Sequence, residues 1–415
     1  MVLDLTDYLR PGDHVAWPQG SGEPLTLVRR LIEQRGALGG IHVFFGTLIS
    51  DSLLPGNVDG LHLTSFGGLM KAARLTRRGL VDIIPIRVSQ VPRLIESGEI
   101  PVDVALVHLA GPDDQGRFSV GLIGDYVHEM IARARVVIAE VNDQAPFTLG
   151  SALVEPSSID VFVPVGYPPA EVERRVPAPG SDVAVVAQHI AGLIPDGATI
   201  QLGIGGVIDA LPDYLAGKND LGLHTGVMGD AALALIESEV VTNRRKEIDI
   251  GTSVTGGFFG TSRLYRWADR NRAVAVRGLD YTHSPAVLGN FASFWSVNSA
   301  LEVDLTGQVN SEMISGRYSG GIGGQLDFIN AATVSRRGRS IVGLTSTAAG
   351  GTVSRISSRL ADSVVSAPRA DADLVVTEFG VADLRAKSLT QRAERLIEIA
   401  HPDFRNQLRA EWRRG

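Results

Sequence analysis

Short runs of β-branched and other apolar residues alternate along this chain with stretches of helical periodicity, and glycine-bearing turns separate the two. Ile41-His42-Val43-Phe44-Phe45, Val104-Ala105-Leu106-Val107 and Val136-Val137-Ile138-Ala139 read as strands that are mostly apolar on both faces. That is the pattern of parallel strands covered on each side by helices. Leu25 to Gln34 sets Leu27, Val28, Leu31 and Ile32 at helical spacing, and Gly67 to Arg77 reads as a helix with a basic outer face. The rhythm is lost between Tyr167 and Asp182, where Pro168, Pro169, Pro177, Pro179, Gly180 and Ser181 gather. It restarts with a helix over Val183 to Leu193 and a strand over Ala198 to Leu202, and runs on to Val375-Val376-Thr377. The pattern predicts an α/β protein with mainly parallel sheets, one domain at 1–178 and a second at 179–415.

Composition narrows the chemistry. Hydrophobic residues make up 44% of the 415 and charged residues 20%, which suits a folded chain with a large core. Cysteine is absent, so disulfides, thiolate metal sites, iron–sulfur clusters and a cysteine nucleophile are excluded. The net charge is −7, from 39 Lys plus Arg against 46 Asp plus Glu, and no long basic block could track a phosphate backbone, so no nucleic-acid partner is expected. Met1 to Arg10 carries Asp4 and Asp7 without a basic region leading into an apolar core, and no stretch of ~18 uncharged apolar residues follows. The expectation is a cytoplasmic protein with no membrane partner.

Several catalytic patterns fail outright. There is no Gly-x-Ser-x-Gly, and Gly217-Lys218 is followed by Asn219 where a P-loop needs Ser or Thr. Gly203-Ile204-Gly205 continues to Ile208 where a dinucleotide fingerprint has its third glycine. That turn is either purely structural or a seat for phosphate or pantetheine at a helix N-terminus. The nine histidines include no His-Glu-x-x-His and no pair at helical ligand spacing, so no metal is expected. Glycine mixed with polar residues recurs at Gly203 to Gly206, Gly256 to Thr261, Ser319 to Phe328 and Thr345 to Gly351. Such segments let backbone amides approach a ligand closely. In the third of them the amides of Gly323 and Gly324 could donate to a developing oxyanion; the alternative is a flexible surface loop. His224, following an apolar strand, is either a hydrogen-bonded structural residue or a base.

Ordered motifs connect these segments. They include Gly22-Glu23-Pro24, Asp82-Ile83-Ile84-Pro85-Ile86, Ala139-Glu140-Val141-Asn142 and Leu221-Gly222-Leu223-His224-Thr225 in the first part of the chain. Ser296-Val297-Asn298-Ser299-Ala300, Asp304-Leu305-Thr306-Gly307, Gly323 to Phe328, Val376 to Leu384 and Ala400-His401-Pro402-Asp403-Phe404-Arg405 follow. Together they resemble the acetyl-CoA hydrolase/transferase family, along nearly the whole chain. The resemblance implies a pair of related open α/β domains with the active site in the cleft between them, a CoA thioester as substrate, and a homo-oligomer. In that family a glutamate attacks the acyl-CoA carbonyl and is converted, through an anhydride, into a glutamyl-CoA thioester that an acceptor carboxylate resolves.

The family's glutamate directly follows His-Thr or His-Ser. Here His224-Thr225-Gly226-Val227-Met228-Gly229-Asp230 puts Gly226 in that place, while Glu237 and Glu239 fall in a helical pattern well downstream. Glycine cannot form an anhydride, so fold and mechanism separate. The resemblance assigns coenzyme A contacts to Gln201, Leu202, Gly203, Ile204, Gly205, Gly324 and Ala348, and a thioester hydrogen bond to Asn298. The amides of Gly323 and Gly324 remain as oxyanion donors, with His224 as a base. Asp230 either orients His224 or caps the next helix, Glu23 is explained by a helix dipole, and Glu378 by a strand end. Ser335-Arg336-Arg337-Gly338-Arg339 either meets CoA phosphates or forms a solvated face. The space a glutamate would fill is expected to admit water or a small acceptor. Three readings stay open: acyl transfer by direct attack of a bound amine, hydroxyl or carbanion acceptor on the thioester; acyl-CoA hydrolysis; and a non-catalytic CoA-ligand binding or partner subunit.

Overall fold

Strands without a polar face need cover on both sides, and the segments with that pattern do form sheet interiors. A computed structural model of the protein describes residues 3–414; Met1 and Val2, which open the segment expected to carry no leader, and Gly415 lie outside the described residues. The chain makes two compact units, Met1–Val172 with Val254–Thr282 and Arg317–Gly323, and Glu173–Ser253 with His283–Gly316 and Gly324–Gly415. The proline-rich stretch near 178 is therefore close to the first of several crossings. The others fall at single peptide bonds inside regular segments or turns, where no composition change marks them.

The first unit is built on seven strands: β1 (His14–Ala16), β2 (Ile41–Phe45), β3 (Leu61–Ser65), β4 (Asp82–Ile83), β5 (Val104–Ala110), β6 (Val136–Asn142) and β7 (Val161–Val165). They lie in the order β4-β3-β2-β1-β5-β6-β7, and every pairing is parallel. β5, next to the central β1, is buried along its whole length. Helix α1 (Leu25–Leu38) presents Leu27, Val28, Leu31 and Ile32 to the core and stops at Gly39, whose φ of 76° is the left-handed cap that glycine adopts freely. The helix expected over Gly67 to Arg77 shrinks to Ala73–Thr76. Met70 has a φ of 53°, and the Gly68 amide is drawn out of any helix by the carbonyl of Gly320, at 2.7 Å.

In the second unit β8 (Thr199–Leu202), β9 (Gly222–Met228), β10 (Phe294–Ser299), β11 (Arg339–Gly343), β12 (Leu374–Thr377) and β13 (Gly380–Asp383) stand in the order β9-β8-β10-β11-β12-β13. All are parallel except the last pair. Helices α2 (Asp182–Leu193) and α3 (Gly206–Leu215) bury apolar stripes, and a Cβ on Gly343 would come within 2.7 Å of Ile190 Cδ1. In both sheets the strand order reverses beside the first strand, between β1 and β5 and between β8 and β10. The crevice outside the carboxyl ends of such strands is where open α/β sheets hold ligands.

The turn that leaves β1 shows how the first unit fixes its own crevice edge. Gln19 Nε2 donates to Asp125 Oδ2 at 2.7 Å and Gln19 Oε1 accepts from the Thr47 amide at 3.3 Å. Glu23 does not sit as a simple dipole partner of α1. It is buried and its carboxylate accepts from the hydroxyls of Ser50 and Ser52, while burial pushes its pKa up. Asp125 is buried too, and loss of water raises its pKa to about 7.

Asp125 thus keeps a proton in the folded chain that the unfolded chain releases above about pH 4. The stability it contributes falls as pH rises from there to about 7. Asp125→Asn, which keeps an oxygen for the Gln19 amide, gains stability relative to the parent as pH is raised through that window. Thermal unfolding of both proteins across the range measures this, and parallel curves contradict it.

Candidate functional site

At the reversal point of the second sheet the ends of β8 and β10 are in register, Ser296 beside Gln201 and Val297 beside Leu202. The next residue of β10, Asn298, forms a reciprocal amide pair with Gln201. Asn298 Nδ2 donates to Gln201 Oε1 at 2.9 Å and Gln201 Nε2 donates to Asn298 Oδ1 at 3.2 Å. Both side chains are buried. Each amide has already committed one N–H and one oxygen. A Cβ on Gly203 would lie 2.9 Å from Asn298 Oδ1, so only glycine lets the turn pass. Gly205, with a φ of 118°, then starts α3. Of the five residues from Gln201 to Gly205, Gln201 and Leu202 are interior, Leu202 giving its carbonyl to the Thr225 hydroxyl at 2.8 Å. Ile204 is 42% exposed.

β9 brings His224 and Gly226 alongside. His224 is fully buried with its ring edge against Phe291, centroids 5.2 Å apart. Beneath the same strand the buried Lys246 ammonium donates to the carbonyls of Leu223, at 3.2 Å, and Thr252, at 2.7 Å, and burial lowers its pKa to about 8. Helix α4 (Asp230–Glu237) is capped by Gly229 and not by Asp230. Asp230 is instead its first helical residue, where a carboxylate meets the positive end of the dipole.

On the side where its side chain would stand, Gly226 meets protein. A Cβ on Gly226 would stand 2.9 Å from both Cε1 and Nε2 of His283, and a Cβ on Gly324 would stand 2.2 Å from the same Nε2. His283 is itself buried and packs on Phe328, ring centroids 4.5 Å apart. Gly324 caps helix α5 (Gln325–Val334), which carries Phe328 and, in its first turn, the buried carboxyl of Asp327. The expectation of a space open to water or an acceptor at Gly226 is corrected: an imidazole lies across it. Burial, reinforced by the neighbouring His224, holds the pKa of His283 down at about 3, so this ring is neutral at physiological pH. Neither His283 nor Asp327 stood out in the sequence. His283 follows Tyr281-Thr282 with no strand or glycine signal, and only the fold brings it to the two glycines.

From here contacts run on within the unit. Gln325 Nε2 donates to the Ser299 carbonyl at 3.2 Å, and the Cβ position of Gly206 is 3.6 Å from Val183 Cγ1. Val183 borders a cleft of about 510 Å³ whose lining includes Ser181, Thr345, Ala348, Glu378 and His401. Ala348 belongs to a short hairpin whose tip contains Gly350 and Gly351, both at positive φ. Glu378, in the turn from β12 to β13, accepts from the Ser346 amide at 2.8 Å and from its hydroxyl. Gly323 belongs to the first unit, where it has a φ of 53° and its carbonyl accepts from the Val88 amide at 2.9 Å.

The arginine cluster is not part of this surface. Arg339 begins β11 beside Trp295, about 10 Å back along the strands from the level of Asn298. Its guanidinium pairs with Asp383 at 2.7 Å and Asp373 at 3.6 Å, and Arg336 and Arg337 are exposed. Among the described residues no group of three or more His, Asp or Glu is arranged to hold a metal ion, and no helix is long and apolar enough to cross a membrane.

Because Gly324 has an ordinary φ of −96°, a methyl group there meets a purely steric obstacle. Gly324→Ala is expected to lower stability by about 1–3 kcal/mol. Combined with His283→Ala, most of that loss disappears, a coupling that chemical unfolding of the four proteins reads directly. Simple additivity of the two losses contradicts the contact.

Residues 3–161 match the acetyl-CoA hydrolase/transferase N-terminal domain and residues 260–412 its C-terminal domain. The chain is 36% identical over 407 residues to the 4-hydroxybutyrate coenzyme A transferase of Clostridium kluyveri, covering 96% of this chain and 94% of that one. RipA from Yersinia pestis superposes with a TM-score of 0.92 at 34% identity, over 99% of this chain and 95% of that one. A 4-hydroxybutyrate CoA-transferase from Porphyromonas gingivalis gives 0.83 at 34% identity over the same shares, 99% and 95%. Matched in both domains and along nearly its whole length, the chain belongs to the acetyl-CoA hydrolase/transferase family, which holds CoA-transferases and acetyl-CoA hydrolases.

Proposed function

We propose that the protein transfers the acyl group of a coenzyme A thioester by direct attack of a bound small-molecule acceptor, without an acyl-glutamyl or glutamyl-CoA intermediate. What carries the reading is the pairing of Gly226 with His283: the residue in the family's nucleophile position has no side chain, and an imidazole occupies the adjoining space. Glu237 and Glu239 are exposed at and beyond the end of α4, and offer no substitute. Coenzyme A is the carrier of the substrate. The polar cleft at Ala348 lies within the usual size range of ligand sites, and its Ser181, Thr345 and Thr347 hydroxyls suit an extended amide-bearing chain. The glycine turn at Gln201 to Gly205 leads to Gly206, whose Cβ position is 3.6 Å from Val183 on the border of that cleft. The Gly324 amide, at the start of α5, is aimed as a helix N-terminus is and donates to the carbonyl oxygen as negative charge develops. One such donor supplies about 3 kcal/mol of transition-state stabilisation. The acceptor's nucleophilic atom forms its bond to the acyl carbon, the carbon–sulfur bond breaks, and the acceptor's proton ends on the thiol.

The deciding experiment incubates the protein with a panel of acyl-CoAs and follows free thiol with no acceptor, with acetate, and with amines and alcohols. Thiol release that depends on an amine or alcohol is the expected result. Release without acceptor makes the protein a hydrolase, and tight CoA binding without turnover makes it a binding subunit. Acetate-dependent CoA exchange, or an acyl or CoA adduct found by mass spectrometry on Asp327 or any other carboxylate, overturns the direct-attack mechanism.

A further inference from the structure

One residue of the cleft at Ala348 differs from its neighbours. Phe379 follows Glu378 in the turn from β12 to β13, and it is 39% exposed on a wall made mostly of hydroxyls, carboxylates and glycines. The residue is nevertheless held in place. The Phe379 amide donates to the Thr377 hydroxyl at 3.1 Å, and that hydroxyl donates to the Ile399 carbonyl at 2.6 Å. Helix α6 (Pro402–Arg414) brings Arg405 over the ring, its guanidinium carbon 5.5 Å from the centroid, and Arg405 Nε donates to the Ala400 carbonyl at 2.9 Å. His401, which also lines the cleft, meets Phe379 edge to face, centroids 5.4 Å apart, and Phe404 meets His401 in a similar way at 6.2 Å. Backbone hydrogen bonds and a stacked cation therefore fix an aromatic residue that gives onto a cavity. Such a ring loses little freedom when a flat ligand stacks on it.

From this geometry we propose that Phe379 is a specificity-determining residue for the nucleotide end of coenzyme A, and that the adenine ring stacks on it in the cleft. The inference rests on the coenzyme A reading above. The chemistry of the walls selects the base over the other parts of that end. Asp182 and Glu378 place two carboxylates on the cleft, and like charge works against seating a diphosphate or a 3′-phosphate between them. A neutral purine instead presents two π faces and an exocyclic amine that donates to a carboxylate. Glu378 is already engaged by the amide and hydroxyl of Ser346. Asp182, exposed at the start of α2, is the carboxylate left for that amine. Phe379 thus acts on the affinity for the carrier and not on the acyl carbon.

The test measures binding by calorimetry and needs no turnover. It compares the parent with Phe379→Leu, which keeps apolar bulk and loses the flat face, and with Phe379→Tyr, which keeps that face. The probes are coenzyme A, ADP, inorganic pyrophosphate, and pantetheine, which lacks the nucleotide. Phe379→Leu weakens coenzyme A and ADP by about 5–100-fold, Phe379→Tyr stays within about threefold of the parent, and pantetheine binds all three proteins alike. In nuclear magnetic resonance of the parent, saturation transfer from protein to ADP is strongest at the adenine protons H2 and H8, and Phe379→Leu loses that preference. Unchanged affinity for coenzyme A in Phe379→Leu, or a parent that binds ADP no better than pyrophosphate, overturns the proposal. Equal weakening of coenzyme A and pantetheine does so too, because the ring then shapes the cleft and reads no base. The two readings fail separately. A parent that transfers acyl groups from CoA while Phe379→Leu binds coenzyme A as well as the parent keeps the transfer and loses the adenine platform. A parent that turns over no acyl-CoA yet shows the expected binding pattern loses the transfer and keeps the platform.

Discussion

The tight approach of a buried imidazole to two α-carbons is the constraint around which the candidate site is organised. His283 lies where side chains at 226 and 324 would have to go, so the three positions form one packing decision. Close packing permits no half measure here. Either the ring is present and both neighbours are glycine, or a side chain enters and the ring must move. A carboxylate side chain at 226 would therefore displace the ring.

The direct transfer proposed above asks something different of the rest of the site. A glutamate nucleophile stores the acyl group on the protein while partners exchange. Direct transfer instead requires carbonyl, acceptor and leaving group to be held together for a single attack, which places the demand on orientation and fixed dipoles. The Gln201–Asn298 amide pair serves that need. Each side chain holds the other rigid at the point where strand order reverses, so the turn at Gly203 is positioned by a buried polar clamp. Lys246 does related work under β9, fixing the carbonyl of Leu223 next to His224.

Much of this was readable from the residues in order. The strands at Ile41, Val104 and Val136 and the helix after Leu25 carry periodicities that few competing interactions override. The glycine turn after β8 was legible because it joins a strand to a helix. The helix read over Gly67 to Arg77 failed because a tertiary hydrogen bond from Gly68 to Gly320 outweighed local propensity. Asp230 failed as a cap because a backbone at Gly229 was enough. Of the arginines at 336 to 339, two are exposed, as a solvated face would have them, while the pairing of Arg339 with Asp373 and Asp383 joins residues too far apart in the chain to be read from it.

The sequence by itself determined the class of fold, the family and the absence of a carboxylate at position 226, since these depend on periodicity, ordered motifs and the identity of one residue. What lies against Gly226 was decided only by tertiary structure. His283 has no local signature, because its place is set by burial and by two glycines separated from it in the chain. Burial also sets its charge state, and solvent exclusion is a property of the assembled core that no single segment carries.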